Sequence, residues 1–229
     1  MTVDAYLARI GYDGPRAPTL EMLRAVERAH VESVPFENLD IHLGRPLVLD
    51  QEANLRKLVE RRRGGWCYEL NGSFAWLLEQ LGYRVTLLGS RVEWEGGASR
   101  DLAHVLMQVD LDQPYLVDVG FGFGSVGVVP LAQVADGVVE HPDGLRVAFS
   151  LEPHRLEDFA AMNEFQQTSP DSNFVRTRVC AIALPDGYLR LRELTLSEQH
   201  GVSAVERELA GEDEWRSVLR DRFGVDLAG

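Results

Sequence analysis

The chain has 229 residues, 45% of them apolar, enough to bury a substantial core in one large domain or two small ones. Its 36 acidic residues against 23 basic ones give a formal net charge of −13, which argues against non-specific binding to nucleic acid or to an anionic membrane surface. Any phosphate-bearing substrate therefore needs a locally positive site.

The N-terminal third reads as helical. A short helix is predicted over residues 4–10, and residues 19–31 place Met22, Ala25, Val26 and Ala29 at i, i+3, i+4 and i+7 ahead of a break at Pro35. The first residues carry an early acid and no apolar run of signal-peptide length, and no stretch approaches the roughly 18 apolar residues of a membrane span. A further helix carries Phe74, Leu77, Leu78 and Leu81 on one stripe, ends at Gly82 and starts close to Cys67.

From residue 83 to about 196 the texture changes to short apolar runs separated by turn residues: YRVTLLGSRV, AHVLMQVD, YLVDVGF, LRVAFSLE, FVRTRVCAIAL and YLRLRELTL. This predicts an all-β middle section, a sandwich or a barrel. The last thirty residues return to helix, with Ser203 and Glu206 spaced as a capping box and a second helix over 212–222. Helices, then strands, then helices favour an α+β or layered fold over a doubly wound sheet.

Cys67 and Cys180 are the two cysteines, 113 positions apart, so they form no disulfide framework and the expected compartment is the reducing cytoplasm. Cys67 follows RRRGGW, whose Gly64-Gly65 pair permits a tight turn that delivers the thiol to a helix N-terminus. A free thiol has a pKa of about 8.5, and such a position or a neighbouring cation lowers it, raising the nucleophilic fraction at neutral pH. The bland reading of a lone cysteine is core filling.

His104 lies in AHVLMQVD and Asp118 in the next run, with Asp110, Asp112 and Pro114 as turn formers between them. In an antiparallel pair, directly opposite residues share a constant index sum, so opposition of His104 and Asp118 predicts a hairpin centred on residue 111. Directly opposed side chains share a face at about 4.5–5.5 Å between Cβ atoms, within reach of an imidazole–carboxylate hydrogen bond. A two-residue loop would send the two to opposite faces. Thiol, imidazole and carboxylate together supply a nucleophile, a base and an orienting acid.

His30, His42, His141, His154 and His200 sit at helix ends, in loops or in turns, without a carboxylate in strand register, and none shows metal-ligand spacing with the cysteines. No metal is expected. The glycine-rich run DVGFGFGSVG, 118–127, matches neither a phosphate loop nor a dinucleotide fingerprint; its backbone N–H groups and rings are candidates to line a pocket.

The run Arg63-Gly64-Gly65-Trp66-Cys67-Tyr68-Glu69-Leu70-Asn71 closely resembles the nucleophile motif of the arylamine N-acetyltransferases. The resemblance extends upstream through YLARIG (6–11) and VPFENLDIHLG (34–44), and downstream through His104, VDVGFG (117–122) and SPDSNF (169–174). It implies an α+β fold with a cysteine-proteinase-like core: a helical domain carrying the cysteine (1–84), a β-barrel carrying the histidine and aspartate (85–185) and a small α/β lid (186–229). It implies a catalytic triad of Cys67, His104 and Asp118, with an oxyanion site that includes the Cys67 backbone N–H. The acetyl donor would be acetyl-CoA, a co-substrate rather than a bound cofactor, and the acceptor an arylamine or hydrazine reacting by a ping-pong mechanism.

By the same resemblance Phe36, Tyr68, Phe121 and Gly122 stand near the substrates, and Glu37 with Arg63 braces the nucleophile turn. The sequence departs from the pattern in its shorter length, in the 126–129 segment and in Ala103 before His104. An amide synthase using a carrier-bound acyl chain shares this triad. A papain-like thiol hydrolase fits less well, because its local cysteine signature is absent.

Overall fold

The computed structural model describes residues 1–122, 124–141 and 144–227. Phe123 of the glycine-rich run and the last two residues of the C-terminal segment lie outside them. The helical third contains α1 (Val3–Arg9), α2 (Leu20–Ser33), a two-residue strand β1 (Phe36–Glu37), α3 (Leu39–His42), α4 (Gln51–Leu55) and α5 (Cys67–Gln80). A π-helical turn, Arg56–Glu60, continues α4 toward α5. The expected helices form with their starts fixed by caps: Thr2 accepts from the Ala5 amide and Thr19 from the Met22 amide.

The sheet section contains β2 (Arg84–Trp94), β3 (Gly97–Ala98), β4 (His104–Asp110), β5 (Pro114–Val117), β6 (Val129–Pro130), β7 (Val138–Glu140) and β8 (Arg146–His154). These form an open, curled antiparallel sheet in the order β6-β5-β4-β2-β8-β7, with β3 paired to β2. Two helices follow, α6 (Ala160–Thr168) and α7 (Asn173–Arg176), then β9 (Val179–Leu184), β10 (Gly187–Arg192), β11 (Thr195–His200), β12 (Ser203–Glu208) and α8 (Glu212–Phe223). The second sheet runs β1-β9-β10-β11-β12, so a strand from the helical third closes one edge of it. Residues 185 and 186 lie in the β9–β10 hairpin.

Two expectations fail locally. The all-β reading of 83–196 misses α6, because the buried positions of that helix are Asn163 and Gln166, which leave no apolar stripe to detect. These amides donate to the carbonyls of Leu47 and Ala103. It also misses the single turn α7, which takes up the start of the run FVRTRVCAIAL before β9 begins at Val179. The capping box at Ser203 and Glu206 is instead strand β12: Glu206 stands opposite Ser197, whose hydroxyl donates to it at 2.7 Å. Gly201, at φ 53°, makes the hairpin turn that precedes it. The helix expected over 212–222 is α8.

Packing follows these layers. Tyr6, Leu23, Val26, Trp66, Phe74 and Leu77 meet Val105, Met107 and Val117 from one face of the sheet. Leu88, Leu106, Leu116 and Val147 form a cluster with Phe121 on its other face. Trp215, Leu219 and Phe223 of α8 seal the second sheet over Cys180, Leu189 and Leu191. Cys180 is thereby fully buried and its thiol is pushed well up by desolvation, which leaves Cys67 as the cysteine available for chemistry.

Candidate active site

Cys67 is the first residue of α5, where backbone N–H groups lack acceptors within the helix. The loop before it is stitched to β1: the Gly65 amide donates to Pro35 O at 3.2 Å and the Glu37 amide to Gly65 O at 2.8 Å. Gly64 and Gly65 do not adopt the left-handed region expected of a strained turn. They are needed because a Cβ on Gly64 would collide with the Pro35 carbonyl and one on Gly65 would lie 2.9 Å from Glu69 Cβ.

Beneath this turn lies a buried ionic network. Arg63 donates to Glu37 at 2.6 and 2.9 Å and to Asp40 at 3.1 Å. Lys57 lies 2.8 Å from both Asp40 and Glu69, and Glu69 accepts in turn from the Trp66 amide at 3.1 Å. Burial pushes the Glu69 carboxyl up against the pull of Lys57. Glu37 and Arg63 were legible as a pair; the extension through Asp40, Lys57 and Glu69 was not.

His104 opens β4 and Asp118 follows the end of β5. The β4–β5 register pairs Met107 with Val117 and Asp110 with Pro114, which centres the hairpin on Asp112, one residue beyond the expected centre. His104 and Asp118 are therefore diagonal rather than direct neighbours. A three-residue loop shifts the index sum by two, so the two side chains still share a face. His104 Nε2 lies 2.7 Å from Asp118 Oδ2.

The other carboxylate oxygen, Oδ1, accepts from Asn71 Nδ2 at 2.9 Å and from the Gly120 amide at 2.8 Å. Asn71 is one helical turn past Cys67, on the same face of α5, and also donates to the Val105 carbonyl and accepts from the Val119 amide. It ties the cysteine helix to the hairpin. Gly120 must lack a side chain, since a Cβ there would lie 2.8 Å from Cys67 Cα and 2.5 Å from the Asn71 amide.

Both members of the pair are buried. Desolvation opposes a charge on His104, but Asp118 and then the neighbouring Cys67 outweigh it and hold the imidazole well above its ordinary range. Desolvation likewise opposes a charge on Asp118, and His104, His141 and Asn71 outweigh it and hold the carboxyl well below. With Nε2 engaged by Asp118, Nδ1 is the ring nitrogen left for the thiol. The Cys67 Sγ also lies 4.0 Å from the Ala103 carbonyl.

Cys67, His104, Gly120, Phe121 and Phe36 lie together on the wall of a cleft of about 770 Å³. Among the described residues the same cleft is lined by Arg100 from the loop before β4 and by Arg190 and Arg192 from β10, against Asp171 on the wall and Glu206, which lies 3.6 Å from Arg190. In a chain of net charge −13 this is a locally positive wall.

The N-acetyltransferase family model matches residues 19–148 and 145–229, together nearly the whole chain. A pineal gland isozyme of arylamine N-acetyltransferase from Gallus gallus is 33% identical over 99% of this chain and 95% of its own length. Arylamine N-acetyltransferase 1 of Homo sapiens is 31% identical at the same coverage. The chain belongs to the arylamine N-acetyltransferase family. The arylamine N-acetyltransferase of Mycobacterium marinum superposes with a TM-score of 0.91 at 32% identity, covering 99% of this chain and 94% of that one. The same enzyme solved in complex with CoA gives 0.89.

Two residues that the family resemblance put near the substrates lie behind the cleft wall. Tyr68 is fully buried and donates to the Leu102 carbonyl at 2.6 Å. Gly122, at φ 87°, packs its backbone against the Phe36 side chain. One histidine set aside from the sequence comes to the site: His141 Nε2 lies 3.5 Å from Asp118 Oδ2. It follows β7, on a different hairpin, and no short-range spacing reveals it.

Proposed function

We propose that the protein transfers an acetyl group from acetyl-CoA to the nitrogen of an arylamine or arylhydrazine through a thioester on Cys67. The observation that carries this reading is the 2.7 Å contact between His104 and Asp118 beside a cysteine at a helix N-terminus, all three opening on or buttressing one cleft. His104 Nδ1 takes the thiol proton, Asp118 fixes the imidazole through Nε2, and Cys67 Sγ attacks the thioester carbonyl. The Cys67 backbone N–H stabilises the oxyanion. The C–S bond to CoA breaks, the CoA sulfur takes the proton from His104, and acetyl-Cys67 remains. The acceptor nitrogen then attacks this thioester, gives its proton to His104 and releases the thiol.

The positive wall at Arg100, Arg190 and Arg192 supports an anionic, phosphate-bearing donor, and Phe36 and Phe121 supply aromatic surface for the acceptor. Tyr68 and Gly122 act from behind, by holding the wall in place. No helix among the described residues is long and apolar enough to cross a membrane, and both cysteines are unpaired, which supports a place in the cytoplasm.

Initial rates measured over a grid of acetyl-CoA and arylamine concentrations test the mechanism. Parallel double-reciprocal lines are expected; intersecting lines, the mark of a ternary complex, would overturn the two-step scheme.

A further inference from the structure

His141 is 2% exposed, and among the described residues neither of its ring nitrogens has a partner in good hydrogen-bond geometry, its one polar approach being a long contact to Asp118. A buried unpaired donor or acceptor costs about 1–3 kcal/mol, so a histidine kept this way needs a reason. Its backbone is fixed, with the His141 amide donating to Leu145 O at 2.8 Å and the Gly144 amide to His141 O at 2.9 Å. Its ring stacks on Phe121 with centroids 3.6 Å apart, and Phe121 in turn meets the His104 ring edge-on at 5.5 Å. Nε2 stands 3.5 Å from Oδ2 of Asp118, the same oxygen that engages His104.

We infer that His141 is a positioning residue for the acyl-transfer site, a neutral second imidazole whose Nε2–H shares Asp118 Oδ2 with His104 and moderates how tightly the carboxylate holds the His104 proton. This rests on the proposed roles of Cys67, His104 and Asp118. Oδ1 is already committed to Asn71 and Gly120, so Oδ2 alone faces the two rings. The reaction requires His104 both to hold a proton beside the thiolate and to release it to the departing thiol. A carboxylate serving His104 alone favours the first at the expense of the second.

Burial keeps His141 uncharged, pushing it down to about 4, with the pull of Asp118 opposing and His104 assisting. The titratable groups around the cluster are Asp118 and His104, Cys67 of α5 on the far side of His104, and Glu27 of α2, which faces Asp118.

Replacing His141 by Phe keeps the stack on Phe121 and removes the donor; replacing it by Gln returns an N–H near the position of Nε2. For His141→Phe, kcat is expected to fall about three- to tenfold, the rate equivalent of one ordinary hydrogen bond, with KM for acetyl-CoA unchanged. The basic limb of its pH profile should move upward, and His141→Gln should restore it. A His141→Phe profile that superimposes on wild type, or a Gln variant that behaves as Phe does, overturns the assignment.

Ring-labelled histidine in the unaltered protein gives a second reading that needs no variant. His141 should remain the neutral Nε2–H tautomer at neutral pH; a Nδ1–H tautomer or a charged ring overturns it. Wild type that takes no acetyl group from acetyl-CoA would overturn the reading of the site itself. An acetylated wild type with an unshifted His141→Phe profile overturns only the role of His141.

Discussion

Charged residues are used in two different ways at the two ends of this molecule. Under the nucleophile turn, Lys57 and Arg63 meet Glu37, Asp40 and Glu69 at 2.6–3.1 Å with every side chain at or below 11% exposure. In the C-terminal sheet and α8, Arg178–Glu212, Arg207–Glu214 and Arg222–Glu198 pair at 2.5–2.8 Å but stand 21–55% exposed. The distances are alike and the energetics are not. Exposed pairs are screened by water, whereas a buried ion that loses its partner bears its full desolvation penalty. The buried network fixes where Cys67 sits, and the exposed one decorates a surface.

Asp118 gives the largest expected effect, because it is a buried charge placed at the reacting groups themselves. Asp118→Asn keeps the size but not the charge, and kcat should fall on the order of 10³–10⁴-fold with the fold intact by circular dichroism. Lys57→Met comes next: it strands Glu69 in the interior, while Asp40 keeps Arg63, and should cost about 3–5 kcal/mol of unfolding free energy in a urea titration. A loss under 1 kcal/mol would mean that the network is wet and that the contrast drawn above is false.

Glu27 sharpens the contrast through pH. Desolvation raises its carboxyl from 4.5 to about 7, despite the hydrogen bond donated by Ser125, which also reaches the Asp118 carbonyl. The folded state therefore holds this proton more tightly than the unfolded chain. The stabilisation is full below pH 4.5 and is lost as the pH rises through about 7, a swing of about 3 kcal/mol. Stability curves of wild type and Glu27→Gln should diverge across that window and run parallel above it. The smallest effect belongs to Arg222→Ala, expected to cost under about 1 kcal/mol by the same urea titration.

The parts of the site that were legible in the sequence are those with local signatures: a glycine pair before a cysteine, an apolar helical stripe after it, and two strand-like runs joined by turn formers. The parts that were not legible are long-range. Asn71 joins α5 to the β4–β5 hairpin, and His141 approaches Asp118 from another hairpin, so neither contact has a short spacing to betray it. The register differed by one residue at the turn because opposition was inferred from the functional pair, whereas the loop at Leu111–Gln113 sets the pairing. In α6 the buried face is polar, and in β12 a Ser-x-x-Glu spacing serves cross-strand pairing rather than a helix cap. In both, tertiary contacts outweigh the local pattern.

The central claim, that Cys67 carries the acetyl group between donor and acceptor, is tested most directly by the intact mass of the protein after brief incubation with acetyl-CoA and no acceptor, for wild type and Cys67→Ala. The account predicts a gain of one acetyl group on wild type alone, discharged when an arylamine is added. An equal gain on Cys67→Ala, or acetyl transfer by that variant at the wild-type rate, would contradict it.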